Sequence, residues 1–404
     1  MSQETTTTFL EEFHECLNAL RGSLADVLSA AGTLNARPQE IAREFKLNKN
    51  LAWKVAKLVH SPQDKDALGF IPGSSGFQIF LQAMGKAGIG KEILNAAEDA
   101  FRDFQGMVQR HAGDRPTLQL LLDSAALGSG DANRLEESRR LAFQGNSGVL
   151  GIQANVKLSS FYFAPNPDDP EQLDFAAVSG LFGLRRFRPD AKWVLLRHSK
   201  QDGEGRDVAV PQRIPLDPRF SGPGPSLLGD FTTSPALEVT VRTIGNVEFF
   251  ELAEGPIGNT GVGDVCFGYF NLKDVPRFRD EENQDGRLHV FLASPVETLV
   301  FDLFLHKDMD IPEMPSAEMA LDFHHVGGTA YQDAIPLPSQ PRQLLGTSPS
   351  VATPLIKDYN RMTDLVWNRL GWNPKDFRAW RIEVKFPPIP GTLTMSFPLE
   401  ERPD

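Results

Sequence analysis

The sequence predicts an α+β protein in which an all-helical N-terminal domain precedes a larger, mostly antiparallel β-rich domain. At 404 residues the chain exceeds the size at which one hydrophobic core keeps growing. Apolar residues recur at helical spacing through the first third of the chain, whereas β-forming runs dominate the remainder. The pattern changes at the glycine-rich residues 145–148. We therefore predict one domain over 1–145 and a second over 148–404.

The composition is that of a globular protein from a reducing compartment. Hydrophobic residues make up 41% of the chain and charged residues 23%. The two cysteines, Cys16 and Cys266, cannot build a disulfide framework or a four-cysteine zinc site. The N-terminus has no basic and apolar signal pattern, and no run approaches the roughly 18 apolar residues of a membrane span. These features favour a cytoplasmic protein without a membrane partner.

Helical periodicity divides the first domain into segments. Apolar residues from Leu10 to Val27 alternate at spacings of three and four, which predicts a helix over 9–31 that ends at Gly32. Two shorter helices follow within 37–59. The other helices predicted in this domain cover 93–107, 117–126 and 131–143.

Strand patterns dominate the second domain. The predicted strand regions are 149–163, 193–197, 237–252 and 288–306. Within the last of these, residues 298–305 are apolar on both faces, as in a central strand. Near the end, 381–386 and 393–397 alternate apolar and polar residues, which predicts a hairpin with one buried face.

Two further segments of the second domain have other patterns. Residues 201–235 are rich in proline and glycine and predict a long irregular loop. Thr353-Pro354 predicts a helix start, with Leu355 and Tyr359 opening its buried stripe.

The charge is distributed unevenly. The net charge is −12, but residues 35–65 hold seven basic and three acidic residues, so this segment carries +4 and the rest −16. A local basic face on an acidic protein favours phosphate binding at one place and discourages it elsewhere.

The basic segment also has the pattern of a helix-turn-helix over 37–59. Pro38 suits the first turn of a helix, where its missing N–H costs nothing. Ala42 is small enough for two helices to pass closely. Leu47 would fill the corner between the helices, and Asn48 is a good N-cap for the second one.

The outward-facing side chains of this unit have the chemistry of a helix that enters a DNA groove. Lysine and arginine bind phosphates, and asparagine can read a base edge through two hydrogen bonds. The candidate DNA-binding residues are Arg37, Lys46, Lys49, Asn50, Trp53, Lys54 and Lys57. Among them, Arg37 and Lys46 would bind flanking phosphates. Trp53 fits either this face or the core.

This segment resembles the helix-turn-helix of winged-helix transcriptional regulators, of which the MarR-like and IclR-like groups are examples. The resemblance implies a three-helix domain that binds double-stranded DNA as a homodimer, without a cofactor. Residues 67–77 offer at most a short turn where the wing hairpin would stand. The second domain would then sense a small-molecule effector or mediate assembly.

Two other function classes remain open. A metal-dependent or hydrolytic enzyme would use His306, Asp308 and His324, the weak metal-ligand candidates of the second domain. No nucleophile elbow accompanies them, so a non-enzymatic role is favoured. The third class is a structural or assembly protein that uses the helix-turn-helix unit for protein contacts, which burial of the face formed by Lys49 and Lys57 would favour.

Overall fold

The protein divides into two compact units, Met1–Asp131 and Ala132–Asp404. The computed structural model describes residues 2–60, 67–127, 132–191, 193–198, 200–201, 207–208, 213–221, 225–233, 238–281, 284–309, 311, 314–326, 329–335, 337, 339–346 and 348–402. Helices and mixed sheets confirm the α+β class. The division between units precedes the predicted boundary at 145–148, so the helix that spans this boundary belongs to the C-terminal unit.

Helices make up the described part of the N-terminal unit. They are α1 (Ser2–Ala30), α2 (Pro38–Glu44), α3 (Lys49–His60), α4 (Ser74–Lys86), α5 (Lys91–His111) and α6 (Arg115–Leu127). The helices predicted over 9–31, 93–107 and 117–126 are thus present in α1, α5 and α6. Gly32 ends α1 in the left-handed conformation, with a φ of 66°. Helix α4 was not predicted from the sequence.

One hydrophobic core joins these helices. The predicted apolar stripe of α1 is buried, and Leu17, Leu20 and Leu24 are each 0% exposed. Helices α1 and α5 pack together, while the rings of Phe77 on α4 and Phe101 on α5 stack with centroids 4.0 Å apart. The helical periodicity of the sequence therefore reports the buried faces directly.

The C-terminal unit contains two helices and a set of strands in its described residues. The helices are α7 (Ala132–Leu150) and α8 (Tyr359–Leu370). The strands are β1 (Ile152–Pro165), β2 (Gln172–Arg186), β3 (Trp193–His198), β4 (Lys200–Gln201), β5 (Asp207–Val208), β6 (Ile214–Pro215), β7 (Val239–Ile244), β8 (Val247–Leu252), β9 (Gly263–Pro276), β10 (Asp285–Leu292), β11 (Val296–His306), β12 (Ser316–Val326), β13 (Thr329–Ile335), β14 (Arg342–Leu344), β15 (Phe377–Lys385) and β16 (Gly391–Pro398).

A central sheet organises this unit. Its strand order is β14-β15-β11-β1-β2-β9-β6, and β1 with β11 is its parallel pair. One face carries a core shared with strands of the smaller sheets β10-β16-β12-β13 and β3-β8-β7. The opposite face packs against α8. Strand β11 lies between β1 and β15, and its apolar residues are buried on both faces as predicted.

The strand predicted from residue 149 begins too early. Helix α7 continues to Leu150 and ends at Gly151, whose φ of 73° is the left-handed conformation that suits glycine. The hydroxyl of Ser147 donates to the Phe143 carbonyl at 2.7 Å within this last stretch. The glycines at 145 and 148 are thus inside the helix, and strand β1 starts at Ile152.

The predicted hairpin over 381–397 is wrong. Strand β15 pairs with β11 and β14 in the central sheet, whereas β16 pairs with β10 and β12 in another sheet. Phe386 leaves β15 with a φ of 45°, and the following prolines lack the N–H that sheet pairing requires. Both faces of β15 are covered, so Arg381 is buried rather than exposed.

Two other expectations for this unit need correction. Helix α8 begins at Tyr359, not at Thr353, because Asp358 adopts a φ of 59°; Leu355 stays partly exposed. Within 201–235, the described residues include strand β6 on the edge of the central sheet, and Leu216 and Leu228 are buried in its core. The prolines interrupt regular structure there, but the apolar side chains between them still pack.

A buried polar cluster connects the central sheet to α8. Asp302 on β11 accepts hydrogen bonds from Nε and Nη2 of Arg381 on β15, both at 2.7 Å. The Tyr359 hydroxyl donates to Asp302 at 2.6 Å and lies 2.5 Å from the Ser160 hydroxyl of β1. Arg381 also donates to the Val351 carbonyl at 3.0 Å. Since Asp302 is 0% and Arg381 2% exposed, each charge depends on the other.

Replacing Asp302 with alanine is expected to lower the free energy of unfolding of the C-terminal unit by about 3–5 kcal/mol, because the buried Arg381 charge loses both carboxylate hydrogen bonds and keeps only the Val351 carbonyl and a 4.0 Å approach to Glu383. Denaturant unfolding followed by tryptophan fluorescence measures this, since four of the five tryptophans belong to this unit. The double variant Asp302→Ala, Arg381→Met should recover much of the loss. Arg342→Ala, which removes an exposed ion pair with Glu383, should change the unfolding free energy by less than about 1 kcal/mol. Equal effects of Asp302→Ala and Arg342→Ala would contradict the assignment.

Candidate nucleic-acid interface

The first helix of the predicted helix-turn-helix starts where the sequence indicates. Pro38 occupies its first turn, and Arg37 is the extended N-cap residue. The Arg37 backbone N–H donates to the Glu40 carboxylate at 2.9 Å. This bond orients the chain as it enters α2, and the Arg37 side chain remains exposed.

The turn between α2 and α3 closes through a backbone hydrogen bond. The Leu47 N–H donates to the Ala42 carbonyl at 2.9 Å, one residue beyond Lys46, whose φ is 55°. This is a Schellman motif at the C-terminus of α2. Its left-handed position, here occupied by Lys46, is usually a glycine. Leu47 is 8% and Ala42 6% exposed, and both belong to the core of the N-terminal unit. The corner is therefore fixed by both backbone and side chain.

Asn48 caps the second helix as predicted. Its Oδ1 accepts the Asn50 backbone N–H at 2.8 Å, and its carbonyl accepts the Ala52 N–H at 3.0 Å. One of the N–H groups that would lack a partner at the start of α3 is thus satisfied.

The inner face of α3 packs into the core. Its buried residues are Ala52, Val55, Ala56 and Leu58. Helical spacing from Ala52 and Val55 also predicts an inward Val59, but Val59 is only half-buried and Leu58 is buried in its place. The Arg21 guanidinium of α1 donates from Nε to the Leu58 carbonyl at 3.1 Å. This hydrogen bond connects α1 to the pair formed by α2 and α3. Leu58 follows Val55 by three residues, so helical spacing alone allowed either position.

The outer face carries the candidate DNA-binding side chains. The exposed ones are Arg37, Lys46, Lys49, Asn50, Trp53 and Lys57, and the half-buried one is Lys54. Among the described residues, none of the four lysines in this set forms an ion pair. No acidic side chain that the structure describes neutralises them.

Trp53 lies on this outer face with 40% of its surface exposed. Its ring meets the edge of Phe70 with centroids 5.2 Å apart and an angle of 88°. Phe70 ends a short 3-10 turn, Leu68–Phe70, in the segment where the sequence offered only a short turn. The described residues 67–127 contain helices and turns and no strand. The contact between Phe70 and Trp53 could not be predicted, because no sequence pattern connects residue 70 with helix α3.

A row of side chains follows the exposed side of α3. Lys49, Trp53 and Lys57 are spaced by four residues, so they lie above one another on the helix surface. We call these three side chains the cationic row. At a rise of about 1.5 Å per residue, the row extends roughly 12 Å along the axis. Asn50 lies beside the row in the first turn, and its side-chain amide has no hydrogen bond to another described residue.

The metal-ligand candidates of the C-terminal unit do not form a described site. Nδ1 of His306 lies 3.6 Å from the Asp308 carboxylate and accepts the Asp308 backbone N–H at 3.2 Å. Burial lowers the pKa of His306, and its ring packs against Phe377. The side chain of His324 lies outside the described residues. Among the side chains that are described, no three histidine, cysteine or acidic residues converge.

Comparison with protein-family models, with curated proteins and with solved structures returned no match to this chain. Within the part of the chain that the structure describes, no helix is both long and apolar enough to cross a bilayer.

Replacing Asn48 with alanine is expected to lower the free energy of unfolding of the N-terminal unit by about 1 kcal/mol, because α3 loses its N-cap. Hydrogen exchange of the α2 and α3 amides measures this within the full chain. Asn50→Ala is the matched control: the Asn50 backbone donates to the cap, so the side-chain change should leave protection nearly unaltered. Equal losses in both variants would argue against the capping role.

Proposed function

We propose that the protein is a DNA-binding transcriptional regulator that uses α3 as its recognition helix on double-stranded DNA. The observation that carries this proposal is the exposed cationic row of α3, whose lysines form no ion pair with another described residue, on a capped helix whose opposite side is buried. The +4 charge of residues 35–65 supports a polyanionic partner despite the net charge of −12.

The dimensions of the row fit a major groove. The groove of B-DNA is about 12 Å wide and admits a helix of about 10–12 Å diameter, and the row from Lys49 to Lys57 spans about two turns of α3 within it. Flexible lysines at both ends of a groove-bound helix reach phosphates on its two walls. Asn50, in the first turn between them, is the candidate for a bidentate contact with an adenine edge.

The conformation of Lys46 adds an independent argument. A non-glycine residue at a φ of 55° costs on the order of 1 kcal/mol, and glycine is the residue that helix ends usually place there. Lys46 is exposed and lies two residues before Asn48, the N-cap of α3. A lysine at this strained position agrees with selection for a phosphate contact.

The C-terminal unit is proposed to sense a small-molecule effector or to mediate assembly, and the protein to bind DNA as a homodimer. Two recognition helices of a dimer contact half-sites one helical turn apart, at about 34–36 Å. An effector that changes the spacing between the two helices would then change affinity.

The double variant Lys49→Ala, Lys57→Ala is expected to weaken binding of the full chain to duplex DNA. It should also reduce the slope of log affinity against log salt by about two units, one for each phosphate contact. Fluorescence anisotropy across a salt series measures both quantities. The matched control is Lys86→Ala, Lys91→Ala, which removes two exposed lysines between α4 and α5 and should leave the slope unchanged. Equal slopes for all three proteins, or no salt-dependent binding, would overturn the proposal and favour a protein-contact role.

Replacing Lys46 with glycine should separate stability from binding. Glycine relieves the left-handed strain but gains entropy in the unfolded chain, so the free energy of unfolding should stay constant or rise by up to about 1 kcal/mol. DNA affinity should fall and the salt slope should shrink by about one unit. Thermal unfolding and anisotropy give the two readouts. Unchanged affinity would show that Lys46 makes no phosphate contact.

A further inference from the structure

The exposed indole of Trp53 is unexplained by phosphate binding. It lies one helical turn from Lys49 and one turn from Lys57, in the middle of the cationic row. An indole can donate one hydrogen bond, from Nε1, to a phosphate, but the rest of its ring surface has no role in a phosphate contact. Other large apolar side chains of the protein are also exposed, but Trp53 differs in lying between the two lysines of the proposed binding face, where it would meet whatever they bind.

The ring is also held in place before any partner binds. Phe70 supports it edge to face, and Leu68 in the same 3-10 turn is 5% exposed and belongs to the core. An aromatic ring fixed by a neighbour loses little conformational freedom when it binds. Trp53 therefore has the features of a recognition side chain with a defined position.

In the major groove, the apolar group that a base pair presents is the 5-methyl group of thymine. The other base-edge groups are hydrogen-bond donors and acceptors, for which the ring face of tryptophan offers no equivalent partner. We infer that Trp53 contacts a thymine 5-methyl group and makes the protein select thymine at one position of its site. This inference rests on the proposed binding of double-stranded DNA.

The experiment removes only the methyl group. Duplexes are selected from a random-sequence pool with the full chain, and each thymine of the selected site is then replaced in turn with deoxyuridine, which keeps base pairing. We expect the Kd of the wild-type protein to rise about four-fold at one position, as for the loss of one buried methylene-sized contact of about 0.8 kcal/mol. At the other thymines the Kd should stay within two-fold.

The protein variants assign this effect to the indole. Trp53→Gln should weaken binding and bind the thymine and deoxyuridine duplexes equally. Lys57→Ala is the matched control on the same row: it should weaken binding to both duplexes and keep the four-fold ratio. A wild-type series with no discriminating position overturns the inference even if Trp53→Gln destabilises α3.

Three outcomes overturn the inference. If no thymine position discriminates, or if Trp53→Gln retains the ratio, DNA binding stands and the thymine contact is wrong. If single strands bind as tightly as the duplex, Trp53 stacks on unpaired bases instead. If no duplex binds in a salt-dependent way, the proposed function itself fails, and the thymine contact fails with it.

Discussion

The geometry of the N-terminal unit's candidate interface depends on the turn at Leu47. Its N–H bond to the Ala42 carbonyl ends α2, and its buried side chain fixes the corner from which α3 departs. Asn48 then starts α3 at the next residue. Helical spacing fixes the directions of the α3 side chains relative to one another. The turn at Leu47 therefore determines which of them face the core and which face solvent. Loss of the corner would rotate the whole cationic row, not one side chain.

How much of the structure could be predicted follows from the range of the interactions. The cap at Asn48 and the stripe of α1 depend on residues a few positions apart, so the sequence indicates them. Phe70 and Trp53 are 17 residues apart, and no sequence pattern between them predicts the edge-to-face contact of their rings. The exposed side of α3 could therefore be predicted from the sequence, but the packing of Phe70 against Trp53 could not.

The failed hairpin shows the same limit for sheets. Alternation in β15 and β16 reports that each is a strand, but not that the two join different sheets. Arg381 was expected on a solvated face because alternation is normally read as one buried and one exposed side. Its pairing with Asp302 comes from β11, far along the chain, and covering by α8 removes the exposed side. A buried ion pair of this kind adds little net stability, because both charges are costly to desolvate, although removing one partner alone is destabilising.

The charge distribution connects these points to function. An acidic chain repels DNA over most of its surface, so attraction is confined to the segment with excess positive charge. In such a protein, repulsion between DNA and the acidic faces disfavours wrong orientations, while contact with the basic face provides affinity. Phosphate contacts made this way do not distinguish sequences. In the proposed DNA complex, specificity would come from the non-cationic side chains of the same face, and on α3 these are Asn50, which offers hydrogen bonds, and Trp53, which offers an apolar surface. A site that pairs an adenine edge with a thymine methyl group would use both.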